Sequence, residues 1–232
     1  MIARVLAALL FVWAAGATAR PVAAPHSVAL QASESAAGGF VLGNPKAPVH
    51  LLEFASFTCP HCAHFTDEGA APLKRTYLAQ AKVVYEVRNA VRDPFDMIAA
   101  LLARCGGAPR FFGNMEAIFA AQDQWTSKIR GLHLEKRPKS SPADMMAFVA
   151  EGTGLNALMR KRGFSNAQLQ SCLTDKAAQG KILAMTKDAD ETRQIPGTPS
   201  FYVNNVLQGV ADWPSLKSNL EEALSAIPQG GK

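Results

Sequence analysis

Two cysteines separated by two residues, Cys59 and Cys62, are the part of this chain whose types and spacing indicate chemistry. An apolar run at residues 49–54 precedes them, and a helical pattern at residues 63–77 follows. The pair is therefore predicted to lie where a strand turns into a helix. Two thiols on one helical turn can close into a small disulfide and reopen without unfolding the chain, so the motif predicts redox chemistry.

The start of the predicted helix sets the reactivity of the pair. Thr58 can cap the helix, and Pro60 stands where no amide donor is needed. The partial positive charge of a helix N-terminus favours a thiolate, so Cys59 is the expected nucleophile. Cys62 lies one turn further in and is expected to resolve mixed disulfides. His61 can add positive charge or a hydrogen bond to the Cys59 sulfur.

Other uses of close cysteines are less favoured by the residues around them. Covalent haem attachment requires a His directly after the second Cys, where this chain has Ala63. A structural zinc site would need His61 and His64 beside the two cysteines, and one short helix cannot fold four ligands around a metal without strain. No metal site or cofactor is expected, although a module that binds copper or another soft metal stays as an alternative. An inert CxxC bridge is disfavoured, because its loop is too short to constrain the unfolded chain.

Composition indicates the size of the fold and the class of its partners. The chain has 232 residues, of which 48% are hydrophobic and 19% charged. These values predict one globular domain, large enough to contain an inserted subdomain. The formal net charge of +5 is spread along the chain, with basic clusters at residues 128–139 and 160–162. The clusters are predicted to be solvated surface, and no nucleic-acid partner is expected, because no such binding motif accompanies them.

The N-terminus has the pattern of a secretory signal peptide. Arg4 precedes an apolar run at residues 5–15, and Ala17-Thr18-Ala19 offers the small residues that signal peptidase cuts after. The run is shorter than the ~20 apolar residues of a spanning helix, which disfavours the alternative of a membrane anchor. A signal peptide at residues 1–19 and a periplasmic product are therefore predicted, with residues 20–39 as a flexible lead-in.

Hydrophobic periodicity divides the rest of the chain into two strand-containing parts and a helical block between them. Strands are predicted at residues 40–42, 49–54, 83–87, 200–203 and 206–210, with a closing amphipathic helix at 213–226. Apolar residues recur at helical spacing in the middle of the chain, and Ser141-Pro142 begins one of these helices. The predicted segments are 40–94, a helical insertion at 95–193, the second part at 194–227 and a tail at 228–232.

Two distant motifs together resemble those of the DsbA-like thiol:disulfide oxidoreductases. The residues from Phe57 to Cys62 read Phe-Thr-Cys-Pro-His-Cys, and Pro-His between the cysteines is the dipeptide of DsbA-type oxidants. Gly197-Thr198-Pro199-Ser200-Phe201 is similar to the family's cis-proline loop. The resemblance covers about residues 40–227. It implies an α/β protein with a thioredoxin fold and an inserted α-helical subdomain.

The resemblance also implies roles for residues outside the cysteine pair. A cis Pro199 would turn the backbone of Thr198 toward Cys59, where it can pair with an extended substrate peptide. The alternative is an ordinary proline at a strand start. Glu53 occupies the place of the family's buried acid, which relays the proton of Cys62. The alternative is a strand-edge Glu that reaches water.

Two further cysteines, Cys105 and Cys172, fall on apolar faces of the predicted insertion. In an exported protein an even count of four cysteines favours a second disulfide, and some relatives carry such a pair in the helical domain. A structural Cys105–Cys172 bridge is therefore expected, with buried free thiols as the alternative.

The combined expectation is a dithiol oxidase that donates the Cys59–Cys62 disulfide to reduced, newly exported proteins. The family implies reoxidation by a DsbB-like, quinone-linked membrane protein. Thr198 is more typical of isomerases than of oxidants, so an isomerase or reductase is the alternative within the fold. Such proteins usually dimerise through an N-terminal domain, for which residues 20–39 are too few, so a monomer is expected.

Overall fold

A computed structural model of the chain describes residues 30–136, 141–209 and 212–228. The predicted signal peptide at 1–19 and residues 229–232 of the predicted tail lie outside these ranges. Six strands in the described ranges form one sheet with the order β1-β2-β4-β3-β5-β6. The strands are β1 (Ala32–Glu34), β2 (Phe40–Leu42), β3 (Val49–Ala55), β4 (Val83–Asn89), β5 (Ser200–Val203) and β6 (Val206–Gln208). Strands β3 and β4 are parallel, and every other neighbouring pair is antiparallel.

Helices cover the sheet and form the insertion between β4 and β5. The helices are α1 (Pro60–Pro72), α2 (Pro94–Ala103), α3 (Ala108–Ala120), α4 (Gln122–Thr126), α5 (Pro142–Gly152), α6 (Leu155–Lys161), α7 (Asn166–Thr174), α8 (Lys176–Lys187) and α9 (Trp213–Ser225). Helices α2 to α8 all fall between β4 and β5. The predicted thioredoxin fold with an inserted α-helical subdomain is thus confirmed. No helix in the described ranges combines the length and the apolar character needed to cross a bilayer.

The predicted flexible lead-in is wrong for part of its length, because residues 32–34 form β1. This strand pairs with β2, placing Ser33 opposite Val41. Its Glu34 carboxylate accepts hydrogen bonds from Arg104 at 2.8 Å and Lys181 at 2.7 Å, both in the insertion. Apolar periodicity could not reveal a strand held by its backbone ladder and by ion pairs.

The alternation of β3 side chains divides the core between the two faces of the sheet. Leu51 and Ala55 pack with the large core that contains α1 and the insertion. Leu52 and Phe54 point to the opposite face and join a smaller cluster. Glu53 shares the face of Leu51 by the same alternation, which places a carboxyl group beneath the start of α1.

A disulfide joins Cys105, just after α2, to Cys172 in α7. The predicted pairing is therefore present, and the alternative of buried free thiols is wrong. The bridge closes a sequence separation of 67 residues within the insertion. In the chain-entropy model, a loop of this length stabilises the fold by roughly 4 kcal/mol.

Replacing both bridge cysteines, Cys105→Ala/Cys172→Ala, should therefore lower the free energy of unfolding by about 2 to 5 kcal/mol. Urea unfolding in a Cys59→Ala/Cys62→Ala background measures this effect, because only the second bridge then differs between the two proteins. Equal unfolding midpoints would contradict a stabilising bridge.

Candidate active site

The turn from β3 into α1 places the redox pair. Strand β3 ends at Ala55, and Cys59 is the N-cap of α1, with an extended backbone at φ −88° and ψ 119°. Pro60 is the first helical residue, as expected, where its missing amide hydrogen costs nothing. The predicted capping role of Thr58 is wrong, because its hydroxyl instead donates to the Asp93 carboxylate at 2.8 Å.

Cys59 lies where hydrogen-bond donors converge on its sulfur. The side chain of Cys62 and the backbone N–H groups of Cys62 and His61 favour a negative charge on this sulfur, whereas desolvation opposes it. These contacts, the Cys62 side chain first among them, lower the pKa of Cys59 from 9.0 to about 4. A thiolate is thus the resting form of reduced Cys59 at neutral pH.

Cys62 lies one turn into α1 and is completely buried. Burial raises the pKa of its thiol well above the usual value, and the neighbouring Cys59 and Glu53 raise it further. The two sulfurs of the pair therefore differ strongly in acidity. Cys59 is the better leaving group, and Cys62 keeps its proton at neutral pH.

Glu53 lies beneath the pair on the central strand β3 and is only 1% exposed. Burial raises the pKa of its carboxyl group from 4.5 to about 7; a hydrogen bond from Tyr85 opposes the shift, and the charge of Cys59 adds to it. The Tyr85 hydroxyl donates to Oε2, and Oε1 has no hydrogen-bond partner among the described residues. The alternative of a strand-edge Glu in water is therefore wrong.

Tyr85 was not among the residues singled out from the sequence. It lies on β4 opposite Leu51 in the parallel register, two positions before Val87, which is opposite Glu53. Side chains two residues apart share a face of the sheet, so the strand pairing would have indicated the contact. Composition alone gives no sign of it, because Tyr is common in buried strands.

The loop before β5 brings a second backbone segment to the Cys59 sulfur. The Thr198–Pro199 peptide bond is cis, as the resemblance implied, so the alternative of an ordinary strand-starting proline is wrong. The Cys59 sulfur lies 3.0 Å from the carbonyl oxygen of Thr198, to which it can donate a hydrogen bond when it is protonated. Antiparallel pairing of β5 with β3, with Phe201 opposite Glu53, brings these segments together across more than a hundred residues of chain.

Neither histidine ring near the cysteine pair has the role that the sequence suggested. His61 is exposed, and its effect on Cys59 comes from its backbone N–H rather than from its ring. The His64 ring lies 3.4 Å from the Glu68 carboxylate in the next turn of α1. In the part of the chain that the structure describes, no three His, Cys, Asp or Glu side chains gather as metal ligands would.

The sheet order, the inserted helices and the cysteine pair facing a cis-proline loop define a thioredoxin-fold protein of the DsbA-like type. The chain belongs to the thioredoxin family, because a family model described as thioredoxin matches residues 35–225. The crystal structure of a protein-disulfide isomerase from Novosphingobium aromaticivorans is 35% identical and has a TM-score of 0.73. The match covers 79% of this chain and 96% of that one. The likeness drawn from the motifs is thereby confirmed.

Two further comparisons agree with this fold. Wolbachia pipientis alpha-DsbA1 superimposes with a TM-score of 0.67 at 21% identity, covering 83% of this chain and 94% of that one. A Rickettsia conorii protein named as a protein-disulfide oxidoreductase is 30% identical over 195 residues, which are 83% of this chain and 62% of the relative. The chain thus spans about three fifths of the length of that curated relative.

Replacing Glu53 with Gln should remove a pH dependence of stability. Folding raises the pKa of this carboxyl group from 4.5 to about 7. The contribution of Glu53 to stability is therefore complete below pH 4.5 and is lost as the pH rises through about 7. Relative to Glu53→Gln, the wild-type protein with its Cys59–Cys62 pair reduced should lose up to about 3 kcal/mol of unfolding free energy across this range.

Tyr85→Phe is the matched variant for this experiment. It removes the hydrogen bond that holds the pKa of Glu53 down, so the loss of stability should move to higher pH. Urea unfolding at several pH values measures all three proteins. Parallel pH curves for wild type and Glu53→Gln would show that the buried carboxyl group does not titrate as described.

Proposed function

We propose that the protein is a thiol:disulfide oxidoreductase that donates its Cys59–Cys62 disulfide to reduced proteins outside the cytoplasm. The observation that carries this proposal is the Cys59 sulfur at the N-terminus of α1, where a thiolate is favoured, beside the backbone of Thr198, the residue before the cis-proline. Donors that stabilise this thiolate stabilise the reduced protein. A disulfide whose reduced form is stabilised is a strong oxidant.

The reaction begins when a substrate thiolate attacks the Cys59 sulfur of the disulfide. The Cys59–Cys62 bond breaks, a substrate–Cys59 bond forms, and Cys62 leaves as a thiolate that takes up a proton. Glu53 supports that step, because a buried carboxyl group with a pKa of about 7 is protonated in a large fraction of molecules at neutral pH. The proton passes from Glu53 to Cys62, whose pKa is raised well above its usual value.

The second step releases the product. Another substrate thiolate attacks the substrate sulfur of the mixed disulfide, and Cys59 leaves as the thiolate that His61 and Cys62 stabilise. The substrate gains a disulfide and loses two electrons, which the protein keeps as two reduced cysteines. A leaving group with a pKa of about 4 departs readily, which favours oxidation of the substrate over return of the disulfide.

The rim of the site is suited to an extended polypeptide. Pro60, His61 and Gly197 are exposed around the buried Cys59 sulfur. The Thr198 backbone beside them offers strand-like pairing, which does not depend on the substrate's side chains. Unfolded and newly exported proteins are the substrates proposed on this basis.

Location and partners follow from the proposed role. Export by the N-terminal segment would place the protein in the periplasm, where disulfides persist. A DsbB-like, quinone-linked membrane protein would reoxidise the cysteine pair after each turnover, and the protein would act as a monomer. The name of a Bacillus subtilis relative, disulfide bond formation protein D, supports the oxidative direction.

Disulfide isomerisation is the second candidate function. The similarity to the Novosphingobium protein-disulfide isomerase supports it, and so does Thr198 before the cis-proline. An isomerase uses the same Cys59 thiolate, but it must be kept reduced. Binding of copper or another soft metal gains no support from the His61 and His64 side chains described above.

Oxidation of a reduced, unfolded substrate protein tests the proposed direction. The oxidised wild-type protein should form substrate disulfides stoichiometrically, and catalytically when an oxidant such as oxidised glutathione is added. Cys59→Ser should abolish the reaction, because the attacked sulfur is lost. Cys105→Ala/Cys172→Ala is the control and should retain it, because it leaves the proposed redox pair in place.

The Cys62→Ser variant isolates the mixed disulfide. Its Cys59 thiolate can attack a disulfide of a scrambled substrate protein and release one substrate thiolate, and because no Cys62 thiol can then displace the substrate, mass spectrometry should find trapped substrate–Cys59 complexes. If wild type fails to oxidise the substrate but rearranges scrambled disulfides when reduced, the isomerase function replaces the oxidase.

A further inference from the structure

The loop from β3 to α1, residues 56–59, is held from outside by side chains of the helical insertion. Asp96 of α2 is completely buried and holds the first half of this loop. One carboxylate oxygen accepts from the Phe57 backbone N–H at 2.7 Å, and the other from the Ser56 hydroxyl at 2.5 Å. The second oxygen also accepts from the Arg92 backbone N–H at 3.0 Å. Ser56 and Phe57 are thereby fixed to the insertion.

The second half of the loop is held by Gln122, the first residue of α4. Its side-chain amide donates to the carbonyl oxygens of Phe57 at 2.8 Å and Cys59 at 2.9 Å. Both N–H groups of the amide are thus available for hydrogen bonds to the loop. The Phe57 ring stacks on Phe119 of α3 with 4.8 Å between centroids, so the α3–α4 junction contacts the ring and the backbone of one loop residue.

A hydrogen bond to the Cys59 carbonyl group affects the geometry of the site directly. Cys59 is the N-cap of α1, and its carbonyl oxygen also accepts from the Ala63 N–H at a long 3.3 Å. The orientation of that peptide sets where the Cys59 sulfur lies relative to the N–H groups of His61 and Cys62. A neutral amide can fix this orientation without placing a charge beside the thiolate.

We propose that Gln122 is a positioning residue for Cys59, and that the helical insertion tunes the acidity of the nucleophile through it. Gln122 acts on the Cys59 backbone, so it differs in kind from the groups that contact the sulfur. This role deepens the proposed function and rests on it for its consequence in turnover. Its direct readout, the acidity of Cys59, needs no substrate.

The experiment compares Gln122→Ala and Gln122→Met with wild type. Both variants remove the two hydrogen bonds, while Met keeps most of the side-chain volume and so tests hydrogen bonding apart from packing. In the reduced proteins the pKa of Cys59, read from the ultraviolet absorbance of the thiolate, should rise by about 0.5 to 1 in both variants. The equilibrium constant for reduction by glutathione should fall by about three- to tenfold.

Asn114→Ala is the matched control. Asn114 is also a buried amide in the insertion, and it donates to two backbone carbonyl oxygens, those of Ala103 at 3.1 Å and Cys105 at 2.9 Å. Neither carbonyl belongs to the loop at residues 56–59. This variant should lower the unfolding midpoint and leave the pKa of Cys59 unchanged.

The outcomes separate this proposal from the one on which it builds. A wild-type Cys59 pKa in Gln122→Met, or an equal shift in Asn114→Ala, would overturn the positioning role. If Gln122→Ala does not fold, Gln122→Met gives the decision. A shifted pKa in a protein that oxidises no substrate would uphold the positioning role and reject the oxidase.

Discussion

The stabilisation of a negative charge on the Cys59 sulfur is the interaction on which the rest of this structure depends. Backbone donors at the start of α1 and the Cys62 side chain converge on that sulfur. Cys59 meets these donors as the N-cap of α1, and hydrogen bonds to Asp96 and Gln122 hold the loop that carries it. Because the donors at the sulfur stabilise a thiolate more than they stabilise the neutral sulfur of a disulfide, they favour the reduced protein and make its disulfide oxidising.

The two parts of the fold contribute different components to this site. The sheet places Glu53 under the pair and brings the cis-proline loop to the sulfur, because β5 pairs with β3 in a fixed register. The insertion supplies Asp96 and Gln122 to the loop between β3 and α1. An insertion between two strands of a small fold thus provides more than a cover for the site, since it contacts the backbone of the nucleophile.

The sequence was sufficient to predict the features that depend on local spacing or on distinctive residues. The Cys59–Cys62 pair and the helical insertion carry signals of this kind, whereas the cis Pro199 was implied by the resemblance of two distant motifs to a known family. Tyr85 and Gln122 could not be predicted, because their roles depend on a strand register and on a helix junction that join distant residues. The interpretation of Thr58 was wrong for a related reason. Thr58 could cap its own helix, but its hydroxyl donates to Asp93, a distant residue that local capping preference does not take into account.

The reduction potential of the Cys59–Cys62 couple tests the stabilisation of the reduced pair most directly. Equilibration in glutathione buffers, followed by alkylation and mass spectrometry of the peptide that carries the pair, measures this couple apart from the second disulfide. We expect a potential well above that of the glutathione pool, nearer to about −120 mV than to the roughly −270 mV of thioredoxin. A potential at or below the thioredoxin value would contradict the claim that the fold stabilises the reduced pair.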